Sequence, residues 1–447
     1  MVVASLPGVF TRAQATIRTA HMHSPTTRRI FLGQLGATLV ASRSVLAATT
    51  RANDKLNLGV VGVSGRGGDN LKGVSGENIV ALCDVDAHNL ENAAMLFPQA
   101  MTYGDFRKLL ERDDLDGVVV STPDHTHAVA VIAALRAGLH VYCEKPLART
   151  VSEVRAMTNL ARQKDQVTQL GTQIHSGDNY RRVVELVQRG AIGTVKEVHV
   201  WVASSYGGME LPKESPPVPE FLDYDLWLGP VPFRPYSPEF VPFKWRYWWA
   251  FGGGSLADFG CHFMDLPFWA LDLSHPDKIE PLDGPPVHPE STPPWLIVRY
   301  SFPARESQPP VALTWHHGGR KPGFLAKELA DQWASGVYFI GSKGDLLSDY
   351  SRHVLLPEDR FVDFPRPEPF IPNSIGHHLE WIEACKGRGR TTCPFSYSGP
   401  LSETALLGNV AFRAGQTLEW DAKALKASNC PAAEPFIQHR YREGWSL

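Results

Sequence analysis

The chain has 447 residues, of which 43% are apolar and 20% are charged, and its formal net charge is −3. That length exceeds what one ordinary hydrophobic core organises and predicts two domains. No basic cluster dominates any segment, so the composition argues against binding to nucleic acid and is typical of a soluble globular protein.

Residues 1–48 differ from the rest of the chain and resemble an export leader. Paired arginines in Thr27–Gly33 precede the apolar run Ile30–Val40, which is too short to span a bilayer. Small residues at Val45–Ala48 suit cleavage by a signal peptidase. This is the pattern of a twin-arginine signal, which predicts the twin-arginine translocase as a partner and a periplasmic or otherwise exported location. An anchor helix or a disordered arm is the alternative, and Met22 is an alternative translation start.

From Lys55 onward, short apolar runs alternate with helical patterns. This alternation predicts a parallel sheet covered by helices on both faces. We therefore expect a doubly wound Rossmann domain over residues 55–172. The predicted strands are Leu58–Val63, Asn78–Cys83, Gly117–Ser121 and His140–Cys143. The predicted helices are Asp69–Val74, Glu91–Leu96, one that starts at Asp105, His127–Ala137 and Ser152–Lys164.

The pattern changes after about Gly171, and residues 173–447 predict an α+β domain with a largely antiparallel open sheet. A proline- and aromatic-rich insert occupies 207–250, and a connection of that length in a compact domain is usually functional. We expect one helix over Ser255–Leu271, after a glycine-rich turn. Further predicted elements are the helix Tyr180–Arg189 and the strands Val195–Ala203, Trp295–Phe302, Val311–His316 and Val337–Gly341.

A glycine-rich turn lies between the first predicted strand and the first predicted helix. Gly62 and Gly67 fit the G-x-G-x-x-G pattern of dinucleotide-binding domains, with Ser64 in the middle position and Gly65 beside it. Bare backbone is required there because amide groups approach the pyrophosphate at a helix N-terminus. Serine is the smallest departure from that requirement. These four residues are therefore predicted to bind the cofactor.

Asp84 ends the second predicted strand, roughly twenty residues after the turn, where a carboxylate accepts hydrogen bonds from the adenosine ribose. A carboxylate at that point repels a 2′-phosphate and favours NAD over NADP. Arg66 is the opposing observation, since a guanidinium in this turn is able to reach a phosphate. Alternatively, Arg66 is an exposed loop residue that contacts the pyrophosphate. NAD is the expected cofactor, and NADP stays open.

Several motifs in a fixed order identify a family. They are Ser-Thr-Pro-Asp-His-Thr-His at Ser121–His127, Val-Tyr-Cys-Glu-Lys-Pro-Leu at Val141–Leu147, and a run that begins Gly-Gly-Gly-Ser-Leu-Ala-Asp at Gly252–Asp265. From about Lys55 to the C-terminus, the chain resembles the glucose–fructose oxidoreductase and inositol dehydrogenase family (Gfo/Idh/MocA). The resemblance implies an oxidoreductase acting on the CH–OH groups of a sugar, polyol or glycoside. It also implies a C-terminal domain for substrate binding and, by analogy, a homo-oligomer.

The resemblance also implies which residues react. The family's Glu-Lys-Pro lysine contacts substrate and takes part in proton transfer, and it matches Lys145. The aspartate and histidine that follow the glycine run match Asp258 and His262. Their i, i+4 spacing independently places both on one helix face. Asp265 shares that face, and we expect a structural role for it.

Oxidation of an alcohol by NAD needs a base for the hydroxyl proton. His262 titrates near neutral pH, and we expect a nearby carboxylate to orient it and to raise its pKa. Lys145, beside a cationic nicotinamide, is expected to have a lowered pKa and to share the proton. The structural alternatives are a surface lysine beside a turn and an aspartate–histidine pair that only stabilises its helix.

Further residues are predicted around the cofactor. Thr122, Pro123, His127 and Glu144 lie within the family motifs; we expect Pro123 to shape the loop over the nicotinamide and ribose, and His127 to pack near the cofactor. His125 and His127 stand two apart at a strand–helix junction. That spacing gives little support to a metal site, and none is predicted.

Trp245 and Arg246 precede the glycine run and are predicted to bind substrate. Aromatic faces stack on the C–H faces of sugars, and a guanidinium donates to hydroxyl groups. A buried aromatic cluster between the domains is the alternative interpretation.

Two other functions remain open. Some relatives of the family are NAD-dependent glycosidases that oxidise C3 transiently, eliminate the glycosidic substituent and recycle the cofactor. Release of an aglycone without net NADH identifies that activity. A non-catalytic nucleotide- or sugar-binding protein is the third hypothesis, and it predicts nucleotide binding without turnover.

Overall fold

The computed structural model describes residues 55–306 and 308–447. Lys55–Leu447 forms one compact unit. The paired arginines and the expected cleavage site fall outside the described residues. Within the described part of the chain, no helix is both long and apolar enough to cross a membrane.

The first sheet has six parallel strands, with the order β3-β2-β1-β4-β5-β6 when numbered along the chain. The order reverses at β1, which leaves a crevice at the carboxyl ends of β1 and β4. This confirms the predicted doubly wound domain. The strands are β1 Asn57–Val61, β2 Asn78–Cys83, β3 Met101–Tyr103, β4 Gly117–Val120, β5 His140–Cys143 and β6 Thr168–Leu170. The helices are α1 Arg66–Gly73, α2 Ala87–Leu96, α3 Phe106–Leu109, α4 Asp124–Arg136 and α5 Val151–Arg162.

The strands of this sheet form because their side chains are apolar and often β-branched. All four residues of β4 are buried, as are Leu58 and Val60 in β1. Branched side chains favour the extended backbone and fill the space between the covering helices. Asp86 caps the start of α2, and Thr150 and Glu153 form a capping box at the start of α5.

The second sheet has nine strands, in the order β13-β12-β11-β7-β10-β9-β8-β14-β15. Strands β7 and β10 pair in parallel, and the other pairs are antiparallel, as predicted. The strands are β7 Val195–Val202, β8 Lys278–Asp283, β9 Leu296–Phe302, β10 Val311–His317, β11 Gly336–Gly341, β12 Asp345–Ser348, β13 His353–Leu356, β14 Leu418–Asp421 and β15 Lys426–Ala427. The helices are α6 Asp178–Gln188, α7 Tyr224–Leu228, α8 Gly254–Phe263, α9 Asp265–Ala270, α10 Lys327–Gln332, α11 His377–Cys385, α12 Phe395–Ala414 and α13 Glu434–Ile437.

The single helix expected over Ser255–Leu271 is wrong, because the chain forms two helices, α8 and α9, that meet at Met264. Pro267 explains the break. It has no N–H to donate to the carbonyl of Phe263, and its ring crowds that carbonyl. Asp265 therefore starts a new helix and does not continue the face of α8.

Helix α11 comes from the C-terminal half of the chain and packs on the first sheet. Trp381 is fully buried in a cluster with strand residues of that sheet, and its ring centroid lies 6.0 Å from that of Tyr142. His378 forms a hydrogen bond of 2.9 Å with Asn70 of α1. The nucleotide-binding domain is thus completed by residues far along the chain.

We expect Trp381→Ala to lower the free energy of unfolding by about 3–5 kcal/mol, because the tryptophan side chain is 0% exposed and its removal leaves a buried cavity. Chemical denaturation followed by circular dichroism measures the change. Phe370→Ala is the control, since that side chain is 42% exposed. Equal stability of the two variants would contradict the packing of α11 on the first sheet.

The aromatic insert has a hydrophobic cluster of its own and lies against the edge of the first sheet. Leu222 forms an antiparallel bridge with Asp86, directly after β2. The insert therefore covers part of the crevice at the carboxyl ends of the parallel strands. Its buried members are Leu222, Tyr224, Trp227, Leu228, Val231, Phe240, Trp245, Trp248 and Phe251.

Candidate active site

A cavity of about 720 Å³ opens at the carboxyl ends of β1, β2, β4 and β5. It extends from the glycine-rich turn to helix α8, and so joins the predicted cofactor site to the predicted catalytic site. The predicted residues that line it are Gly62, Ser64, Gly65, Arg66, Asp84, Thr122, Pro123, Glu144, Lys145, Trp245, Arg246, Asp258 and His262.

The glycine-rich turn has a backbone that only glycine permits at two positions. Gly62 has φ +82°, and a Cβ there would lie 2.7 Å from the carbonyl oxygen of Ser121. A Cβ on Gly67 would lie 2.1 Å from the carbonyl oxygen of Gly62. Gly65 precedes α1 and provides no side-chain cap, and the N–H of Gly67 donates to the carbonyl of Ser64 at 2.9 Å within the turn. Gly67 closes the turn and does not itself line the cavity, whereas Ser64 does.

Asp84 lies at the end of β2, where the ribose contact was predicted. Its carboxylate accepts hydrogen bonds from the backbone N–H groups of Val63 and Asp86, both at 3.0 Å. Burial raises the pKa of Asp84, against the effect of these donors. Asp86 also lines the cavity, so two carboxyl groups flank this end. The bare turn at the start of a helix and this acidic end fit a dinucleotide without a 2′-phosphate.

His127 was predicted to pack near the cofactor, but its side chain does not line the cavity. Its ring is buried behind the loops, where Nδ1 lies 2.9 Å from the carbonyl oxygen of Pro146 and Nε2 lies 2.8 Å from that of Thr122. One ring thus joins the loop after β4 to the loop after β5. His127 positions Thr122 and Pro123, which do line the cavity.

Glu144 supports the lysine next to it. Its carboxylate accepts hydrogen bonds from Asn70 at 2.9 Å and from Gln173 at 2.7 Å. Burial raises the pKa of Glu144, although the charge of Lys145 lowers it. The loop after β5 is therefore held to α1 and to the segment after β6.

Lys145 and Asp258 form the central ion pair of the site. The ammonium Nζ lies 2.7 Å from Oδ1 of Asp258 and 3.1 Å from its carbonyl oxygen. Arg246 approaches the same carboxylate oxygen at 3.5 Å. Burial would raise the pKa of Asp258, but Lys145 and Arg246 lower it below its usual value. Asp258 is therefore ionised at neutral pH.

The protein groups around Lys145 do not lower its pKa; the predicted lowering was for a lysine beside a cationic nicotinamide. Burial lowers the pKa of Lys145, but Asp258 and Glu144 raise it above its usual value. The two carboxylates outweigh desolvation because one of them is in direct contact. Lys145 is a cation here.

His262 is on the predicted face of α8, but Asp258 does not orient it. Among the residues that the structure describes, its Nδ1 has no hydrogen-bond partner. Burial, and then the charge of Lys145, lowers the pKa of His262 to about 3, so the predicted rise is wrong. The carboxylate is engaged by the lysine, which leaves the imidazole neutral.

Comparison with known proteins agrees with this geometry. A profile of an oxidoreductase family, described as an NAD-binding Rossmann fold, matches residues 56–172. The profile of the same family's C-terminal alpha/beta domain matches residues 181–307. The chain belongs to the Gfo/Idh/MocA oxidoreductase family. Its N-terminal domain is accordingly an NAD-binding domain.

Two curated relatives illustrate the range of this family. The chain is 34% identical to a glycosyl hydrolase family 109 protein of Solibacter usitatus over 175 residues. The matched region covers 34% of this chain and 38% of that protein. It is 34% identical to inositol 2-dehydrogenase of Gluconacetobacter diazotrophicus over 150 residues. That match covers 32% of this chain and 44% of that enzyme. The matched region spans less than half of either relative.

A solved family structure extends the similarity in fold to most of the chain. The WlbA dehydrogenase from Bordetella pertussis, in complex with NADH and UDP-GlcNAcA, superposes with a TM-score of 0.56. The superposition covers 82% of this chain and 99% of that protein, at 17% identity. At that identity the similarity shows the fold alone.

Within this family fold, Asp265 has a structural role, as expected. It is fully buried and accepts a hydrogen bond of 2.7 Å from the hydroxyl of Tyr397, and His175 Nδ1 lies 3.0 Å from it. Ligand atoms of His175, Asp265 and Cys393 lie within 4.8 Å of one another. The hydrogen bonds of Asp265 to Tyr397 and His175 join α9 to α12 and to the segment after β6.

The substrate end of the cavity is strongly aromatic. Trp245 is 6% exposed, and the guanidinium of Arg246 lies 4.1 Å from the centre of its ring. Phe243, Tyr206 and Phe259 also line the cavity. Trp245 thus belongs both to the buried cluster of the insert and to the wall of the site, so the two interpretations of this residue coexist.

Sequence reasoning missed two further lining residues near Lys145. Asp124 starts α4 and is buried, and burial raises its pKa well above the usual value. It lies within the Ser121–His127 motif, which was its only signal. Tyr350 follows β12 and stacks on Phe263 with ring centroids 4.5 Å apart. No motif marks it.

Proposed function

We propose that the protein is an exported NAD-dependent oxidoreductase that transfers hydride to or from a CH–OH carbon of a sugar, polyol or glycoside. The observation that carries the proposal is the ion pair between Lys145 and Asp258 at 2.7 Å, beside His262, at one end of the nucleotide cavity. Ionisable groups with shifted pKa values that converge in one cavity are typical of catalytic sites.

The bound dinucleotide supplies a hydride acceptor or donor. His262 is neutral at neutral pH and accepts the hydroxyl proton of an alcohol as oxidation proceeds. Lys145 donates a hydrogen bond to the same oxygen and stabilises the negative charge that develops on it. Asp258 keeps Lys145 charged and in place. In the reverse direction the same groups return the proton to the carbonyl oxygen.

The aromatic wall supports a carbohydrate substrate. Tyr206 and Phe243 present apolar ring surfaces at the cavity, and Arg246 lies between the ring of Trp245 and Asp258. Rings of this kind pack against the C–H faces of sugars, and the guanidinium and carboxylate bind hydroxyl groups. Such a site discriminates between sugars by the positions of their hydroxyls.

A panel of sugars, polyols and glycosides, read by nicotinamide absorbance, tests the proposal with the purified protein and added NAD or NADH. We expect turnover with at least one member in one direction. The proposal fails if the protein gains no thermal stability from NAD(H) or NADP(H). Tight nucleotide binding without turnover on any member supports the non-catalytic alternative instead.

Asp84→Ser is expected to weaken the preference for NAD over NADP by at least about tenfold. The change removes a carboxylate that faces the 2′-position of the ribose, and one charge–charge contact near a protein surface is worth about 1–4 kcal/mol at 4 Å. Thermal-shift titrations with NADH and NADPH measure the ratio. Asp178→Asn, an exposed residue on α6, is the control. An unchanged ratio would show that Asp84 does not set cofactor choice.

A second candidate is the NAD-dependent glycosidase that oxidises a carbon transiently and recycles the cofactor. Two observations favour it: the similarity to a glycosyl hydrolase family 109 protein, and Asp124 in the cavity wall. Since burial raises the pKa of Asp124 well above its usual value, it is suited to donate a proton to a leaving group. Release of an aglycone without accumulation of NADH would support this candidate over net oxidation.

Export through the twin-arginine translocase is the remaining part of the proposal, and it rests on the paired Arg28 and Arg29 before a short apolar run. Cell fractionation of the wild type and of the Arg28→Lys, Arg29→Lys double variant tests it. We expect the wild type in the exported fraction, with an N-terminus near Ala48. Equal retention of both forms in the cytoplasm would overturn this part alone.

A further inference from the structure

We propose that the C-terminal tail, residues 438–447, closes the adenosine end of the dinucleotide cavity through Trp445, so that bound NAD exchanges slowly. The inference rests on NAD binding and not on the identity of the substrate. It adds to the cofactor site a residue that lies outside the Rossmann domain and outside the family motifs.

The residues that Trp445 contacts place it at the adenosine end of the cavity. It lines the cavity, its ring centroid is 6.2 Å from that of Phe106, and the guanidinium of Arg107 lies 4.8 Å from its centre. Phe106 starts α3, just after β3. Strand β3 is the neighbour of β2, and the N–H of Asp84 donates to the carbonyl of Tyr103 at 3.2 Å. The ring therefore stands on the side of the predicted ribose contact, away from Lys145.

The tail is anchored by one arginine. The guanidinium of Arg442 donates to the carboxylate of Asp225 at 2.6 Å and to the carbonyl of Gly229 at 2.5 Å. Its backbone N–H donates to the carbonyl of Pro230 at 3.1 Å. Each of these partners belongs to α7 of the insert or to the turn after it. Arg442 thus fixes the tail three residues before Trp445.

The insert provides the other cover at the same end. The N–H of Asp223 donates to the carbonyl of Val85 at 2.9 Å, and the N–H of Ala87 donates to the carbonyl of Phe221 at 2.8 Å. Leu222, beside them, lines the cavity. This segment continues the backbone pairing beyond the end of β2.

The two covers form one closure, because Arg442 ties the tail to the insert. An aromatic ring at the wall of the cavity is a stacking surface for a base, and such contacts are sequence-tolerant and strong. In this proposal the Trp445 side chain moves before the adenosine end is released. The structure therefore assigns the tail to retention of the nucleotide, which suits an enzyme that recycles its cofactor within one site.

The test measures release of NADH from the full chain, by fluorescence after excess NAD is added. We expect Trp445→Ala to release NADH at least about fivefold faster than the wild type, since loss of one aromatic–base contact has an effect of that size or more. Arg442→Ala is the second variant, and it should also release NADH faster. Phe233→Ala is the control, because that ring is 74% exposed and is not part of the cavity wall.

The melting temperature of the nucleotide-free protein separates retention from a merely structural role. Trp445→Ala should leave it unchanged while release accelerates. Release at the wild-type rate in both Trp445→Ala and Arg442→Ala would overturn the inference. If the wild type binds no NADH, the inference and the proposed function both fail, whereas turnover of a sugar with unchanged release in the variants would overturn the inference alone.

Discussion

Lys145→Met is expected to lower kcat by about 10²- to 10⁴-fold, the usual contribution of a positioned proton-transfer group. Methionine keeps much of the length and apolar character of the lysine stem but removes the ammonium that lies 2.7 Å from Asp258. The cation is then missing where the alkoxide charge develops. Cofactor binding should persist, because the turn at Gly62 and the carboxylate of Asp84 are distant in the sheet from this change.

Steady-state kinetics on a substrate from the sugar panel measures this loss, and NADH titration of the same sample measures cofactor binding. Lys164→Met, at an exposed position after α5, is the control and should retain full activity. A variant at Lys145 with wild-type kcat would remove this residue from the mechanism. A variant that no longer binds NADH would show that the lysine serves the cofactor and not the reaction.

Asp258→Asn should have the second-largest effect, on both stability and pH dependence. It leaves Lys145 buried without its carboxylate partner, and breaking a buried ion pair in this way costs about 3–5 kcal/mol. The folded protein holds the pKa of Asp258 below its usual value. The ion pair therefore contributes its full stability to the fold at any pH above that usual value, and the contribution is lost as the pH falls through the pKa of the folded state. The stability difference from the wild type should therefore narrow in acid.

The same substitution should shift the activity profile. Because Asp258 raises the pKa of Lys145 against the effect of burial, its loss moves the Lys145 limb of the pH–rate curve to lower pH. Activity from about pH 5 to pH 11 measures the shift of the limb, and thermal melts from about pH 2 to pH 7 measure the narrowing of the stability difference. Asp178→Asn serves as the exposed control. A profile with an unmoved limb would contradict the assignment of the ion pair.

Local patterns in the sequence were sufficient for four of the six strands of the parallel domain and for much of its turn chemistry, whereas the three-residue strands β3 and β6 were not predicted. Strands such as β1 are buried on both faces, so short, nearly continuous apolar runs between helical patterns identify them. The glycine spacing reflects a steric need at Gly62 and Gly67. The long helix over Ser255–Leu271 was wrong because apolar periodicity continues across Pro267. The packing of α11 was beyond prediction, since Trp381 meets Tyr142 only through the tertiary fold.

The site shows the same division. The i, i+4 spacing placed Asp258 and His262 on one face, and both line the cavity. What the spacing does not contain is a partner from another segment: Lys145, 113 positions earlier, binds the carboxylate that was expected to orient His262. That long-range contact raises the pKa of Lys145, whereas burial is the main cause of the lowered pKa of His262. Trp445 is a similar case, because no local pattern connects the tail to the nucleotide cavity.

The most direct test follows a hydride. A substrate from the panel, deuterated at its ring carbons, is mixed with NAD-loaded protein for a single turnover, and the nucleotide is extracted for mass spectrometry. The proposal predicts NADH that carries one deuterium, with none in the Lys145→Met sample over the same time. Product formation with an unlabelled nucleotide would contradict hydride transfer and with it the proposed function.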